Sequence, residues 1–210
     1  MYCLDVAYCQ QPTEYSCWWA SLQMLLRYHT GRFYSFPWDY DPELRPPPGH
    51  FGSLMPHGPA TPTFGPPQPW QWYQQGITPD LPHVQRLARI GRLRPAEITL
   101  GRSSQGGNWL VVPITGEWIE ARLRRFGPLY IIRRLQNGHH AYLISGVLDR
   151  TAGPSGRGLL ELQDPWPGGR RRVLAVTALQ SRLAPQLRAM NMLVYENPRA
   201  TQRVSEDSER

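Results

Sequence analysis

Gln11, Cys17, His140 and Asp164 occur in an order and with local contexts that suit acyl transfer by a sulfur nucleophile. Cys17 opens the apolar, helix-competent run CWWASLQMLLRYH, and Gln11 precedes it by six residues. A thiol at a helix start feels unpaired backbone N–H groups and the positive end of the helix dipole, which favour the thiolate. A carboxamide six residues upstream can fold back and donate to the oxyanion of a tetrahedral intermediate. Such a thiolate needs an imidazole partner held by a third group.

The imidazole is sought in NGHHAYLISGV. In a strand beginning at the histidines, His140, Tyr142 and Ile144 share one face while His139, Ala141 and Leu143 share the other. Only one histidine can then face the cysteine. His140 is chosen because it directly precedes the Ala that begins the apolar strand, which leaves His139 as a solvent-facing turn residue. In LLELQDPWPGG, Asp164 ends the next strand, and Pro165 restricts it to extended backbone. An antiparallel pairing can bring Asp164 beside the start of the histidine strand, where it fixes the tautomer and orientation of the ring.

The elements that must position these groups follow from periodicity. A buried helix is expected from about Cys17 to Tyr28, with Ser16 as N-cap and Trp18, Leu22 and Leu25 on one side. Residues 37–76 carry clustered prolines, Pro46–Pro48 and Pro66–Pro67, punctuated by Trp38, Trp70 and Trp72, and read as a long irregular insertion or lid. Asp80 and Pro82 start a second helix with Leu81, Val84, Leu87 and Ala88 inward, ended by Gly91. Thr115 leads a third, containing Trp118, Ile119, Leu123 and Phe126 and stopped by Gly127 and Pro128. The segments LYIIRRL, AYLISGV, LLELQ and RRVLAV, with a turn at Asn137 and Gly138, read as antiparallel strands. Thr177 opens a short helix ending near Pro185, and MLVYE is a closing strand. The fold class is therefore α+β, helices first and an antiparallel sheet after, in one domain over residues 1–197 with a disordered polar tail at 198–210.

Composition bounds the function. The 210 residues suffice for one well-cored domain, or two lobes sharing a cleft. The three cysteines are too few for a disulfide scaffold, and with Cys17 assigned to chemistry, Cys3 and Cys9 can pair with each other or, the reading preferred, stay as two reduced thiols. Every one of the 23 basic residues is arginine, so the net charge of +7 reflects codon bias more than a nucleic-acid footprint. The clusters Arg122, Arg124, Arg125 and Arg170, Arg171, Arg172 are read as solvated faces. Met1 leads into no Sec-type signal, and no apolar run is long enough to span a bilayer. Synthesis in the cytoplasm, with any export through a specialised secretion system into a target cell, is the corresponding expectation.

Gln11, Cys17, Trp18 and Ala20 together resemble the oxyanion-hole and nucleophile segment of papain-like cysteine peptidases. HAYLISGV, QDPWPGG and the preceding FGPLYI are similar to the His and Asp motifs of the bacterial branch, which includes double-glycine leader peptidases and avirulence-type effector proteases. The likeness covers roughly residues 9–197, with the Pro-rich insertion and the extra bulky Trp19 as departures. It implies a papain-like fold, with the nucleophile helix packed on the sheet that carries the histidine, and peptide hydrolysis through a thioester. By that resemblance Gln11 donates to the oxyanion, Cys17 attacks, His140 is ion-pair partner and proton donor, and Asp164 orients it. No metal or organic cofactor is implied. The implied partners are a protein or peptide substrate and, for an effector or toxin, a cognate immunity or inhibitor protein. Two other expectations use the same residues: peptidoglycan amidase or transglutaminase-like acyl transfer, and an inactive papain-fold binding module.

Overall fold

A period of two in the strand residues sorts the apolar side chains into two cores, one on each face of a single sheet. The structure, a computed structural model, describes residues 1–14, 16–45, 81–96, 100–102, 108–110, 114–135, 138–151, 157–182 and 192–195. Among these, the helices are Cys17–Thr30 (α1), Pro37–Tyr40 (α2), Leu81–Gly91 (α3), Gly116–Phe126 (α4) and Val176–Arg182 (α5), with a 3-10 turn at Pro42–Leu44. The strands are Tyr2–Cys3 (β1), Leu93–Pro95 (β2), Leu100–Arg102 (β3), Asn108–Leu110 (β4), Leu129–Leu135 (β5), Gly138–Asp149 (β6), Leu159–Gln163 (β7), Arg172–Ala175 (β8) and Met192–Tyr195 (β9). An antiparallel sheet runs β2-β9-β5-β6-β7-β8 with β1 added along β6, and β3 pairs separately with β4. The α+β class, with helices toward the N-terminus and the antiparallel sheet toward the C-terminus, is thus the observed architecture.

Tyr130, Ile132, Ala141, Leu143, Leu193 and Tyr195 share the face on which α1 packs. Their neighbours Leu129, Ile131, Tyr142, Ile144, Met192 and Val194 face Ile119 and Leu123 of α4 and Leu179 of α5. The sheet is therefore covered on both sides, which explains why its central strands are apolar at successive positions rather than alternating. Residues Trp18 to Leu26 of α1 are all buried, so tertiary packing rather than intrinsic propensity holds this helix. Each fully buried leucine in it contributes about 1.5–3 kcal/mol. α1 stops where Gly31 takes a left-handed φ of 70° and its N–H bonds the Arg27 carbonyl at 2.9 Å.

Several local expectations are corrected. Ser16 does not cap α1 through its side chain; its hydroxyl instead closes a turn with the N–H and carbonyl of Thr13, at 2.9 and 3.0 Å. The insertion does not begin irregular, because Pro37 supplies the first turn of α2, Asp39 accepts from the Phe36 N–H, and Trp38 is buried. Gly138 is a strand residue paired with Leu135, and His139 is an exposed strand residue paired with Arg134 rather than part of the turn. Thr177 lies second in α5, which opens at Val176. Thr115 does cap α4, accepting from the Trp118 N–H at 3.2 Å. Trp70, Trp72, Asp80, Asn137, Pro185 and the 198–210 tail lie outside the described residues, as does most of the insertion. Among the described residues no helix is long and apolar enough to cross a membrane.

Candidate functional site

The start of β6 is an open corner of the sheet. Arg133 of β5 pairs with His140, whereas β7 joins β6 only from the pair Leu143 and Gln163 onward. Continuing that register by one residue carries the chain out of β7 and sets Asp164 near His140. His140 Nε2 and Asp164 Oδ1 are 2.9 Å apart, and the two residues are 6 % and 1 % exposed. With Nε2 committed to the carboxylate, Nδ1 is the ring nitrogen left for the Cys17 side chain. Burial pushes the His140 pKa down, but hydrogen bonding to Asp164 and to Cys17 outweighs it and lifts the imidazole to about 9.

The aspartate is held from three directions. Oδ1 also accepts the Trp166 N–H at 2.9 Å, and Oδ2 meets Arg172 Nε at 2.8 Å. Burial pushes the Asp164 carboxyl up, yet the His140 and Trp166 hydrogen bonds, together with the charges of His140 and Arg172, leave it below its ordinary value. A fixed anion is thereby kept beside an imidazole that is kept protonated. The histidine ring is further packed edge-on against Tyr142, with centroids 4.4 Å apart, and stands 6.0 Å from the partly exposed Trp166 ring.

Cys17 is half-buried at the first position of α1. Ala20 is the first residue whose N–H bonds back along the helix, to the Ser16 carbonyl, so the Cys17 N–H lies ahead of the helical ladder. Tyr130, fully buried beneath, anchors this turn by donating its hydroxyl to the Trp18 carbonyl at 3.2 Å.

Gln11 is brought to the same corner by its backbone, its N–H bonding the Pro165 carbonyl at 2.8 Å. Tyr8 adds a second tie from its hydroxyl to the Trp166 carbonyl at 3.0 Å. The buried Gln11 carboxamide points Nε2 at the carbonyls of Thr13, 2.8 Å, and Glu14, 3.2 Å, while Oε1 has no protein partner among the described residues. In this conformation an oxyanion would have to displace the longer of these two bonds. His140 and Asp164 are thus hydrogen-bonded side chains, Cys17 contributes to the raised His140 pKa, and Gln11 is tied to their loop with its donor turned toward the backbone.

Three contributors escaped the sequence reading. Arg172, placed on a solvated face, is the counter-ion of Asp164, and Trp166 and Tyr8 frame the same loop. The signal for Arg172 was present in the strand pairing: β8 runs antiparallel to β7, so its first residue must lie beside the last residues of β7. Gly169 completes the loop by close approach, since a Cβ there would stand 2.9 Å from Asp164 Cγ and 3.0 Å from the Trp166 carbonyl. Gly169→Ala is therefore expected to cost about 1–3 kcal/mol of stability and to lower the His140 pKa, as read by thermal melting and by NMR titration of the ring.

The cysteines are all free thiols, Cys3 exposed and Cys9 half-buried. Among the described residues no group of three or more His, Cys, Asp or Glu is arranged to hold a metal ion. In comparison with known proteins, the chain matches no family model, and no curated protein matches its sequence.

Proposed function

We propose that this protein is a papain-like cysteine endopeptidase, acting as a bacterial effector or toxin that cleaves protein substrates through a thioester. The reading is supported by the buried His140–Asp164 pair, 2.9 Å apart, and by the Cys17 side chain's part in lifting the His140 pKa. A proton donor to a leaving amine needs its proton at neutral pH, and an imidazole lifted to about 9 carries one there.

In the reaction the Cys17 sulfur attacks the scissile carbonyl, forming the C–S bond as the carbonyl π pair moves to oxygen. The Cys17 N–H, ahead of the helical ladder, donates to this oxyanion, and Gln11 joins it once its Nε2 releases the Glu14 carbonyl. Collapse breaks the C–N bond, and the amine leaves with the proton from His140. The imidazole, now neutral, takes a proton from water as the water attacks the thioester, which releases the acid and regenerates the thiolate–imidazolium pair. Asp164 keeps Nε2–H occupied throughout, so the proton moves at Nδ1.

The test is proteolysis of a target-cell lysate followed by mass spectrometry of new termini, comparing the wild-type protein with Cys17→Ala. New termini present only with the wild type are expected. Equal cleavage by Cys17→Ala removes the proposal. Isopeptide-linked products in place of new termini would assign the same thioester to transglutaminase-like transfer.

A further inference from the structure

The far end of α1 from Cys17 opens into a cleft of about 880 Å³ that the proposed chemistry does not use. Its described walls come from the end of α1, the turn after α2, the outer face of α3 and the last residue of β9. Arg32, Arg89 and Arg92 bring three cationic side chains to these described walls, which Arg86 and Asp41 also line. Like charges gathered around one concavity repel one another, and low-dielectric walls focus their field into the cleft. An anion entering there relieves the repulsion.

Arg92 adds a separate observation. It is the one non-glycine residue with positive φ among the described residues, at 50°, directly after Gly91 ends α3. A glycine suits that backbone better, so an arginine here is held at a conformational cost. Its charge acts on the half-buried Tyr40, and Tyr40 and Tyr195 belong to the same lining. Guanidinium forks with neighbouring hydroxyl donors match the several oxygens of a phosphate chain better than a lone carboxylate.

We propose that this cleft binds a small molecule carrying two or more phosphate groups, with Arg32, Arg89 and Arg92 as the phosphate-contacting residues. The site is separate from the thiol, so its test is independent of peptidase activity. Isothermal titration of the full chain with sodium tripolyphosphate, and in parallel with ATP, at near-physiological salt measures it directly. Saturable one-to-one binding of tripolyphosphate is expected, weakened about tenfold in each of Arg32→Gln, Arg89→Gln and Arg92→Gly. Arg92→Gly is the informative variant, because it relaxes the left-handed backbone: its melting temperature should hold or rise while affinity falls. Arg125→Gln, outside the cleft and of equal charge change, should leave affinity unaltered. Tighter binding of ATP than of tripolyphosphate would extend the site to a ring-bearing ligand. Absence of saturable binding by either probe overturns the proposal, as does an equal loss in Arg125→Gln, which would mark binding as unspecific attraction to a basic chain.

Discussion

His140→Ala is expected to lower proteolysis by about 10³–10⁴-fold while leaving the protein folded. The size follows from two roles lost together. In the proposed reaction the ring is the cation beside the Cys17 sulfur, and it returns a proton to the leaving amine. Folding should persist because the groups left behind keep partners. Asp164 retains the Trp166 N–H on Oδ1 and the Arg172 guanidinium on Oδ2, so its buried charge is not orphaned. Two measurements separate chemistry from structure. The thermal melt of the variant should remain cooperative, and alkylation of Cys17 by iodoacetamide near pH 6 should slow by about 10²-fold, because the attacking species is the thiolate. Unchanged alkylation at that pH would show that the imidazole does not act on the sulfur, and the peptidase reading would lose its support.

What could be read in advance divides by the range of the interaction. Periodicity located α1 and α4, whose Trp18, Leu22 and Leu25, or Ile119 and Leu123, are placed by side-chain direction alone, and short apolar runs bounded by turns located the central strands. The same alternation separated His140 from His139, since adjacent strand residues cannot share a face. Local polar choices were less legible. Ser16 looked like an N-cap, but a hydroxyl beside a turn has two backbone options, and Thr13 offered both a donor and an acceptor. Pairings across the sheet were the least legible. Arg172 sits in a run of three arginines that nothing local distinguishes, and only the register of β8 on β7 selects it for Asp164. Gln11 shows the reverse: its loop was located, while the direction of its carboxamide depends on the carbonyls of Thr13 and Glu14.

Asp164→Asn is expected to flatten the alkaline side of the pH dependence of stability. In the wild-type protein His140 is raised from 6.5 to about 9, so its stabilisation is complete below pH 6.5 and lost as pH rises through about 9. His29 has the opposite sign. Burial against Tyr195, with Nε2 lacking a protein partner among the described residues, lowers it to about 4, so its contribution is complete above pH 6.5 and lost as pH falls toward 4. Between them, these histidines place maximal stability near pH 6.5, falling in both directions. An asparagine keeps the shape and one acceptor but removes the charge that holds His140 protonated, at a cost of about 1.5–3 kcal/mol near pH 6. The alkaline slope should then flatten, because burial opposes the protonated ring and only Cys17 remains to hold it, while His29 still carries a slope on the acid side. Urea denaturation at pH 5, 6.5 and 8.5 reads both slopes. A variant whose alkaline slope matches the wild type would mean that Asp164 is not what holds the proton on His140, and the assignment of Asp164 as the orienting residue would fall with it.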